Sequence, residues 1–275
     1  MQKKSNLPLV SVIVPFYNEE KHIEQCLQTL KKQTYSKVQL IAVDDGSTDS
    51  SRKIAKKYVD ILLVQKHQGP GVARNKAARV AKGEILIFAD ADMYFDINYI
   101  KMLLKPIFEK KAIATFTNEE YVANTENFWA KCFQIDNGIP LKNRIRTRET
   151  RIKKFRAITK SGFFKTKGYG TDTGYGEDNV LDKRESVAAK GAICFHYNPD
   201  SLSDVFLSAR WVGRSKFLSP SLRNLLKYSL LNSIRLSFKI VAKGGPFTFF
   251  IYKFVFDFGV FEGILRKNKE GGYSK

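Results

Sequence analysis

Cysteine is scarce in this chain and badly placed for bridging: Cys26, Cys132 and Cys194 stand far apart and are odd in number. That excludes a disulfide framework and a cysteine metal site of ordinary spacing, and it points to a reducing cytoplasm. Long apolar runs are also missing. No 18 apolar residues follow one another without interruption, which argues against an ordinary membrane span. The apolar stretch after Lys3 and Lys4 is short and holds Pro8 and Pro15, so it reads as a first strand and not as a signal peptide. Neither G-x-G-x-x-G nor G-x-x-x-x-G-K-[ST] occurs, which disfavours a dinucleotide oxidoreductase and a P-loop NTPase. No recognisable nucleic-acid module is present, and no nucleic-acid partner is expected.

What remains suffices for a core. The chain has 275 residues, 43% of them hydrophobic and 13% aromatic, and carries a formal net charge of +20. The charge is unevenly spread. Residues 142–156 (KNRIRTRETRIKKFR) hold eight bases against one acid, and residues 201–275 hold thirteen against four. The excess belongs to one loop and to the C-terminal quarter, and charge alone leaves nucleic acid, anionic lipid and phosphorylated substrates open.

The first ninety residues alternate strand and helix patterns. LVSVIVP (9–15) reads as a buried strand, followed by a helix capped by Asn18 with Ile23, Cys26, Leu27 and Leu30 as its apolar stripe. VQLIAV (38–43) runs into Asp44-Asp45-Gly46-Ser47. A short helix, strand 61–64, a Gly-Pro-Gly turn at 69–71 and a helix over 72–81 come next. Then EILIFADADM (84–93) ends a strand in Asp90-Ala91-Asp92. Such alternation predicts an α/β fold with a mostly parallel sheet and crossover helices. Ligands of such sheets lie beyond the carboxyl ends of the strands. Three polar clusters, Pro15–Glu19, Asp44–Ser47 and Asp90–Asp92, fall at those ends. Hard dications such as Mg²⁺ or Mn²⁺ take paired carboxylates of this kind and share them with substrate phosphates. A solvated acidic turn is the plainer alternative.

VSVIVPFYNEE (10–20), VDDGSTD (43–49), GVARNKAARVAKGEILIFADAD (71–92) and GYGED (174–178) together resemble the family 2 glycosyltransferases of the GT-A fold, over about residues 1–200. The resemblance implies a Rossmann-like sheet, a nucleotide-diphosphate sugar donor, UDP-sugar favoured, and Mg²⁺ or Mn²⁺. By the same resemblance Pro15, Tyr17 and Glu19 line the base and ribose, and Asp45 accepts a hydrogen bond from the base. Arg74 holds the nucleotide and the nearby carboxylates, Asp90 contacts ribose or a metal-bound water, and Asp92 coordinates the metal. Asp178, or its neighbour Glu177, is the general base of a single inverting displacement. His196, at the end of an apolar stretch, is a further metal ligand. Arg210-Trp211 matches part of a Q-x-x-R-W segment of polysaccharide synthases, with Leu207 at the glutamine position.

Arg144, Arg146 and Arg148, in the basic loop between the metal motif and the acid pair, are candidates for binding phosphate on the acceptor or the departing nucleotide. Beyond residue 215 the chain reads as a separate helical, aromatic-rich extension (216–275). Its segment FTFFIYKFVFDFGVFEGIL carries seven of the 21 phenylalanines between 247 and 261, interrupted by Lys253 and Asp257. In-plane contact with an anionic membrane surface fits that composition, which would place the protein peripherally on the cytoplasmic face. The alternative is that these helices cover the sheet or form a dimer interface. Gly259 and Gly263 form one G-x-x-x-G. The expected activity is transfer of one sugar to a lipid-linked or polysaccharide acceptor. A polyprenyl-phosphate glycosyl synthase shares the first three motifs, but DADMYFDI (90–97) lacks the His and paired Pro of that branch. A non-catalytic glycosyltransferase-like scaffold at the membrane is the reading from another class.

Overall fold

The computed structural model describes residues 7–144, 155–170, 186–215 and 217–266. Along the chain the elements are β1 (Val10–Phe16), α1 (Ile23–Lys31), β2 (Val38–Asp44), α2 (Ser51–Ala55), β3 (Ile61–Val64), α3 (Pro70–Val80) and β4 (Ile85–Phe88). There follow β5 (Met93–Phe95), α4 (Tyr99–Phe108), β6 (Ala114–Phe116), β7 (Glu120–Val122), α5 (Phe128–Asn137), β8 (Ala157–Thr159) and α6 (Lys160–Lys165). Last are β9 (Ser186–Ala188), β10 (Cys194–His196), α7 (Leu202–Gly213), α8 (Leu222–Lys227), α9 (Leu230–Val241) and α10 (Phe249–Arg266). The described residues of 1–121, 147–169 and 180–196 form one compact unit; those of 122–146, 170–179 and 197–275 form another.

The first unit is built on a seven-stranded sheet in the order β3-β2-β1-β4-β8-β6-β9. β1 pairs parallel with β2 and β4, and β2 with β3. Among the described strands of this sheet only β8 runs against its neighbours. Every residue of β1 is buried, as a continuous apolar run requires when both faces of a strand are covered. Val10, Val12, Val14 and Phe16 pack with Ile23, Leu27 and Leu30 of α1 and Leu103 and Leu104 of α4. Ile13 joins Ile41, Val43 and Phe88 against Ala73, Ala77 and Ala78 of α3. The alternation of β1 thus assigns one helix layer to each face. A second sheet, β5-β10-β7, carries the continuation of the chain after Asp92.

The helix after β1 begins later than its sequence suggests. Its N-cap is His22, whereas Asn18 sits in the left-handed region at φ 53°, a conformation asparagine tolerates. Asn18 Oδ1 accepts from the Thr48 amide at 2.8 Å, and the Asn18 amide donates to Ser47 Oγ at 3.0 Å. The residue that reads as a local cap therefore ties the β1 and β2 loops together.

In the second unit α7 and α10 approach closely. A Cβ on Gly263 would stand 2.2 Å from the Arg210 carbonyl oxygen, and one on Gly213 2.2 Å from that of Val260. The G-x-x-x-G of α10 is thus a helix contact. Cys132, Val205, Phe249 and Tyr252 form one core cluster of this unit, and Ala209, Val260 and Ile264 another. Among the described residues no helix is long and apolar enough to cross a membrane.

Candidate active site

The parallel pairing of β1, β2 and β4 brings their carboxyl ends to one edge, and the motif residues follow from that. At the end of β2, Asp44 accepts from the Ser47 amide at 2.8 Å and pairs with Arg52. Gly46 takes φ +88°, which favours glycine, and a Cβ there would lie 3.1 Å from the His67 amide nitrogen, a tight contact. Asp45 turns inward. Its Oδ1 accepts from Gln65 Nε2 at 2.7 Å and the Gln68 amide at 2.9 Å. Its Oδ2 accepts from the Gly69 amide at 2.8 Å and contacts His67 Nδ1 at 3.0 Å. Burial alone would raise this carboxyl, but His67, Gln65 and the two amides hold it below its ordinary value. Asp45 in this structure builds the 65–69 loop. A base N–H would have to displace one of these donors. The loop also sets His67 against Tyr17, with ring centroids 3.9 Å apart and 22° between planes. Pro15 is buried within β1, and Glu19 is half-buried, its amide donating to Ser51 Oγ at 2.8 Å.

Beyond β4 the two acids of the D-x-D diverge. Asp90 Oδ1 accepts from Arg74 Nη2 at 2.6 Å, and Oδ2 from Arg156 Nη1 at 2.8 Å. Burial works to raise this carboxyl, yet Arg156, Arg74 and His196 hold it well below the usual carboxylate range. Arg156 donates its other nitrogen, Nη2, to Glu120 Oε2 at 3.0 Å. Glu120 Oε1 lies 2.8 Å from His196 Nδ1, and His196 Nε2 lies 3.1 Å from Asp92 Oδ1. The path Asp90–Arg156–Glu120–His196–Asp92 therefore closes on itself through Ala91. Beneath it the buried Cys26 thiol donates to the Asp90 carbonyl at 3.5 Å. Burial, with Asp92, Asp90 and Glu19 nearby, raises that thiol well above its ordinary value, which keeps it neutral.

This edge of acids on a parallel sheet can be set beside known proteins. The family model of glycosyl transferase family 2 matches residues 11–168, more than half of the chain. The chain belongs to that family. The putative glycosyltransferase EpsH of Bacillus subtilis is 37% identical over 103 residues, covering 36% of this chain and 30% of EpsH. The glycosyltransferase GlyG of Streptococcus pneumoniae is 35% identical over 128 residues, 44% of this chain and 42% of GlyG. These matches span less than half the length of either relative. Among solved structures, the mannosyltransferase PcManGT of Pyrobaculum calidifontis, in complex with GDP-Man and Mn²⁺, aligns at TM-score 0.59 with 16% identity, over 97% of this chain and 89% of that one. S. aureus TarS 1-349 in complex with UDP aligns at TM-score 0.54 with 19% identity, over 95% and 92%. At these identities the likeness speaks for the fold, which is GT-A.

In a family 2 chain of this fold a divalent cation is implied. Among the described residues no group of three or more His, Cys, Asp or Glu is placed to hold one. Asp92 and His196 nevertheless suit it as a pair. The ring stands between two acids, Glu120 Oε1 at 2.8 Å from Nδ1 and Asp92 Oδ1 at 3.1 Å from Nε2. In the absence of a cation a proton on Nε2 bridges that contact, and neutral imidazole and carboxylate are both ligands a dication takes. Mg²⁺ and Mn²⁺ commonly use one or two protein carboxylates and complete their shell with water and substrate phosphate.

The structure thus brings Arg74, Asp90, Asp92 and His196 into one network, and Tyr17 and Asp45 into another on the same sheet edge. Arg144, Arg210 and Trp211 belong to the second unit. There Arg144 lies over the Phe133 ring at 5.2 Å, and Arg210 lies 3.8 Å from Glu262. Asp178, Glu177, Arg146 and Arg148 lie outside the described residues. Glu120, Arg156 and His67 escaped the sequence reading. His67 follows the end of β3, so the same strand-edge rule reaches it. Arg156 was legible only as the last base of a charged run, and Glu120 carried no signal.

Proposed function

We propose that this chain transfers one sugar from a nucleotide-diphosphate sugar, a UDP-sugar in preference, to a hydroxyl of a lipid-linked or polysaccharide acceptor, inverting the anomeric centre. The observation that carries this reading is the closed path joining Asp90 to Asp92 through Arg156, Glu120 and His196. Such a path fixes one carboxylate and one imidazole at the end of β4, where a diphosphate is expected in a sheet of this kind. The relatives support the class of acceptor. A poly(ribitol-phosphate) beta-glucosyltransferase of Bacillus spizizenii is 42% identical over 94 residues. TarS has also been solved in complex with UDP-GlcNAc.

In this mechanism the Tyr17–His67 pair offers an aromatic surface to the base, and Arg74 offers charge to the nucleotide. A Mg²⁺ or Mn²⁺ held by Asp92 and His196 would offset the charge that develops on the departing diphosphate. Asp178 takes the proton of the acceptor hydroxyl as that oxygen attacks the anomeric carbon, with Glu177 as the alternative base.

The test is release of free nucleotide from UDP-, GDP- and dTDP-sugars with Mn²⁺ or Mg²⁺. One donor is expected to turn over in a metal-dependent way, and Asp92→Asn and Asp178→Asn each to lower the rate about a hundredfold or more without changing the melting temperature. Metal-independent turnover that survives Asp92→Asn would overturn the reading. A second measurement addresses Glu120. Because a carboxylate behind a ligating histidine fixes its tautomer, Glu120→Gln is expected to weaken Mn²⁺ binding, read by electron paramagnetic resonance, by about 10–100-fold. Unchanged affinity would show that Glu120 serves only to neutralise Arg156.

A further inference from the structure

The charges that interrupt the last apolar stretch of the sequence point inward. Lys253 Nζ lies 3.0 Å from Asp136 Oδ1 and 2.9 Å from Asp257 Oδ1. Asp257 Oδ2 in turn accepts from Ser233 Oγ of α9 at 2.8 Å. Lys253 and Asp257 are both buried, and so their neighbours on the outer side of α10 form an unbroken apolar stripe. Phe247, just before the helix, with Ile251, Phe254 and Phe258, recurs at helical spacing and is exposed, Phe247 to 76%. This is the reverse of a water-facing helix, which keeps its charges outside.

α9 and α8 continue the surface. Leu231 at 80%, Ile234 and Phe238 line one side of α9, and Leu222 at 72% and Leu226 line α8. Phe238 meets Phe250 at 5.0 Å, and Phe250 meets Phe247 at 5.3 Å, so the stripes of α9 and α10 are continuous. Beside them Arg223, Lys227, Arg235, Lys239, Lys243 and Arg266 are all exposed. The two acids of residues 217–266 are occupied. Asp257 is buried, and Glu262 faces Arg210 and Arg266.

We propose that the outer faces of α8, α9 and α10 are a docking surface for an anionic lipid leaflet, with the phenylalanines and leucines entering the acyl boundary and the bases meeting headgroup phosphates. Exposed apolar surface of this kind marks an interaction site. The charge pattern selects its occupant: a second copy of this chain would bring a like-charged rim, whereas an anionic leaflet complements both features. The proposal is independent of the sugar-transfer reading.

The experiment is co-flotation of the full chain with phosphatidylcholine vesicles, with and without phosphatidylglycerol. Two variants accompany it, Leu231→Ser/Phe247→Ser/Phe254→Ser and Arg223→Gln/Lys227→Gln/Arg235→Gln/Lys239→Gln. Both change exposed side chains only, and thermal melting confirms that they fold. The wild type is expected to float with phosphatidylglycerol vesicles and to be released by salt. Each variant is expected to lose partitioning by about a hundredfold or more, through lost apolar burial in the first and lost headgroup attraction in the second. Wild type that stays at the bottom with both vesicle types overturns the proposal. So does a dimer by light scattering that the serine variant dissociates while vesicle binding is absent.

Discussion

Arg156→Met is expected to lower stability by about 3–5 kcal/mol, the cost typical of removing one partner from a buried ion cluster. Arg156 is 8% exposed and stands between two carboxylates, Asp90 and Glu120, with Nη1 and Nη2 committed one to each. Burial disfavours its charge, but the two acids outweigh burial and hold it protonated. Methionine fills much of the same volume and offers neither charge nor donor. Asp90 would retain Arg74 and Glu120 would retain His196, so each carboxylate loses one cationic neighbour. The double variant Arg156→Met/Glu120→Leu is expected to recover part of the loss, because it also removes one of the two carboxylates that Arg156 balances. Urea denaturation checks both, with the midpoint moving and the slope unchanged. A loss below about 0.5 kcal/mol, the scale of an ordinary surface substitution, would mean that Arg156 is solvated and that the path is open.

The part of the site that sequence disclosed is the part that local pattern and strand topology control. β1, β2 and β4 are apolar runs, their parallel direction follows from alternation with helices, and a parallel sheet then brings Asp45 and Asp90 to a common edge. Arg156 and Glu120 obey no such rule. Their contact spans 36 positions, and each reads locally as one more charged residue, Arg156 at the end of a basic run and Glu120 beside another acid. Asn18 shows the converse error. Local capping preference favoured a helix start there, while a bond to Thr48, 30 residues away, claimed the side chain instead. Periodicity located the apolar stripe of α1 because it repeats within one element. It was ambiguous for α10, where apolar residues recur on more than one face and only tertiary partners decide which face is buried.

Those partners make Lys253→Met the sharpest test of the second unit. Lys253 is 6% exposed and Asp257 1%. Burial pulls the lysine down, but Asp136 and Asp257 raise it above its ordinary value. A raised lysine contributes stability that is fully present below its unfolded value of about 10.4 and is lost only as pH rises through the folded one. At neutral pH the ammonium is therefore at full strength, and removing it strands Asp257 in a site that already raises the carboxyl by burial. The expected loss is about 3–5 kcal/mol, read by chemical denaturation at neutral pH. Lys253→Met/Asp257→Leu should regain part of it, since it removes the more deeply buried of the two carboxylates that the ammonium balances and leaves Asp136. If α10 were turned the other way, Lys253 would be in water, and the single variant would stay within about 0.5 kcal/mol of wild type. Phe247, Phe254 and Phe258 would then be the buried face, and lipid binding through them would fall with it. One denaturation curve thus decides which side of α10 faces out, and with it whether the apolar stripe is available to a membrane.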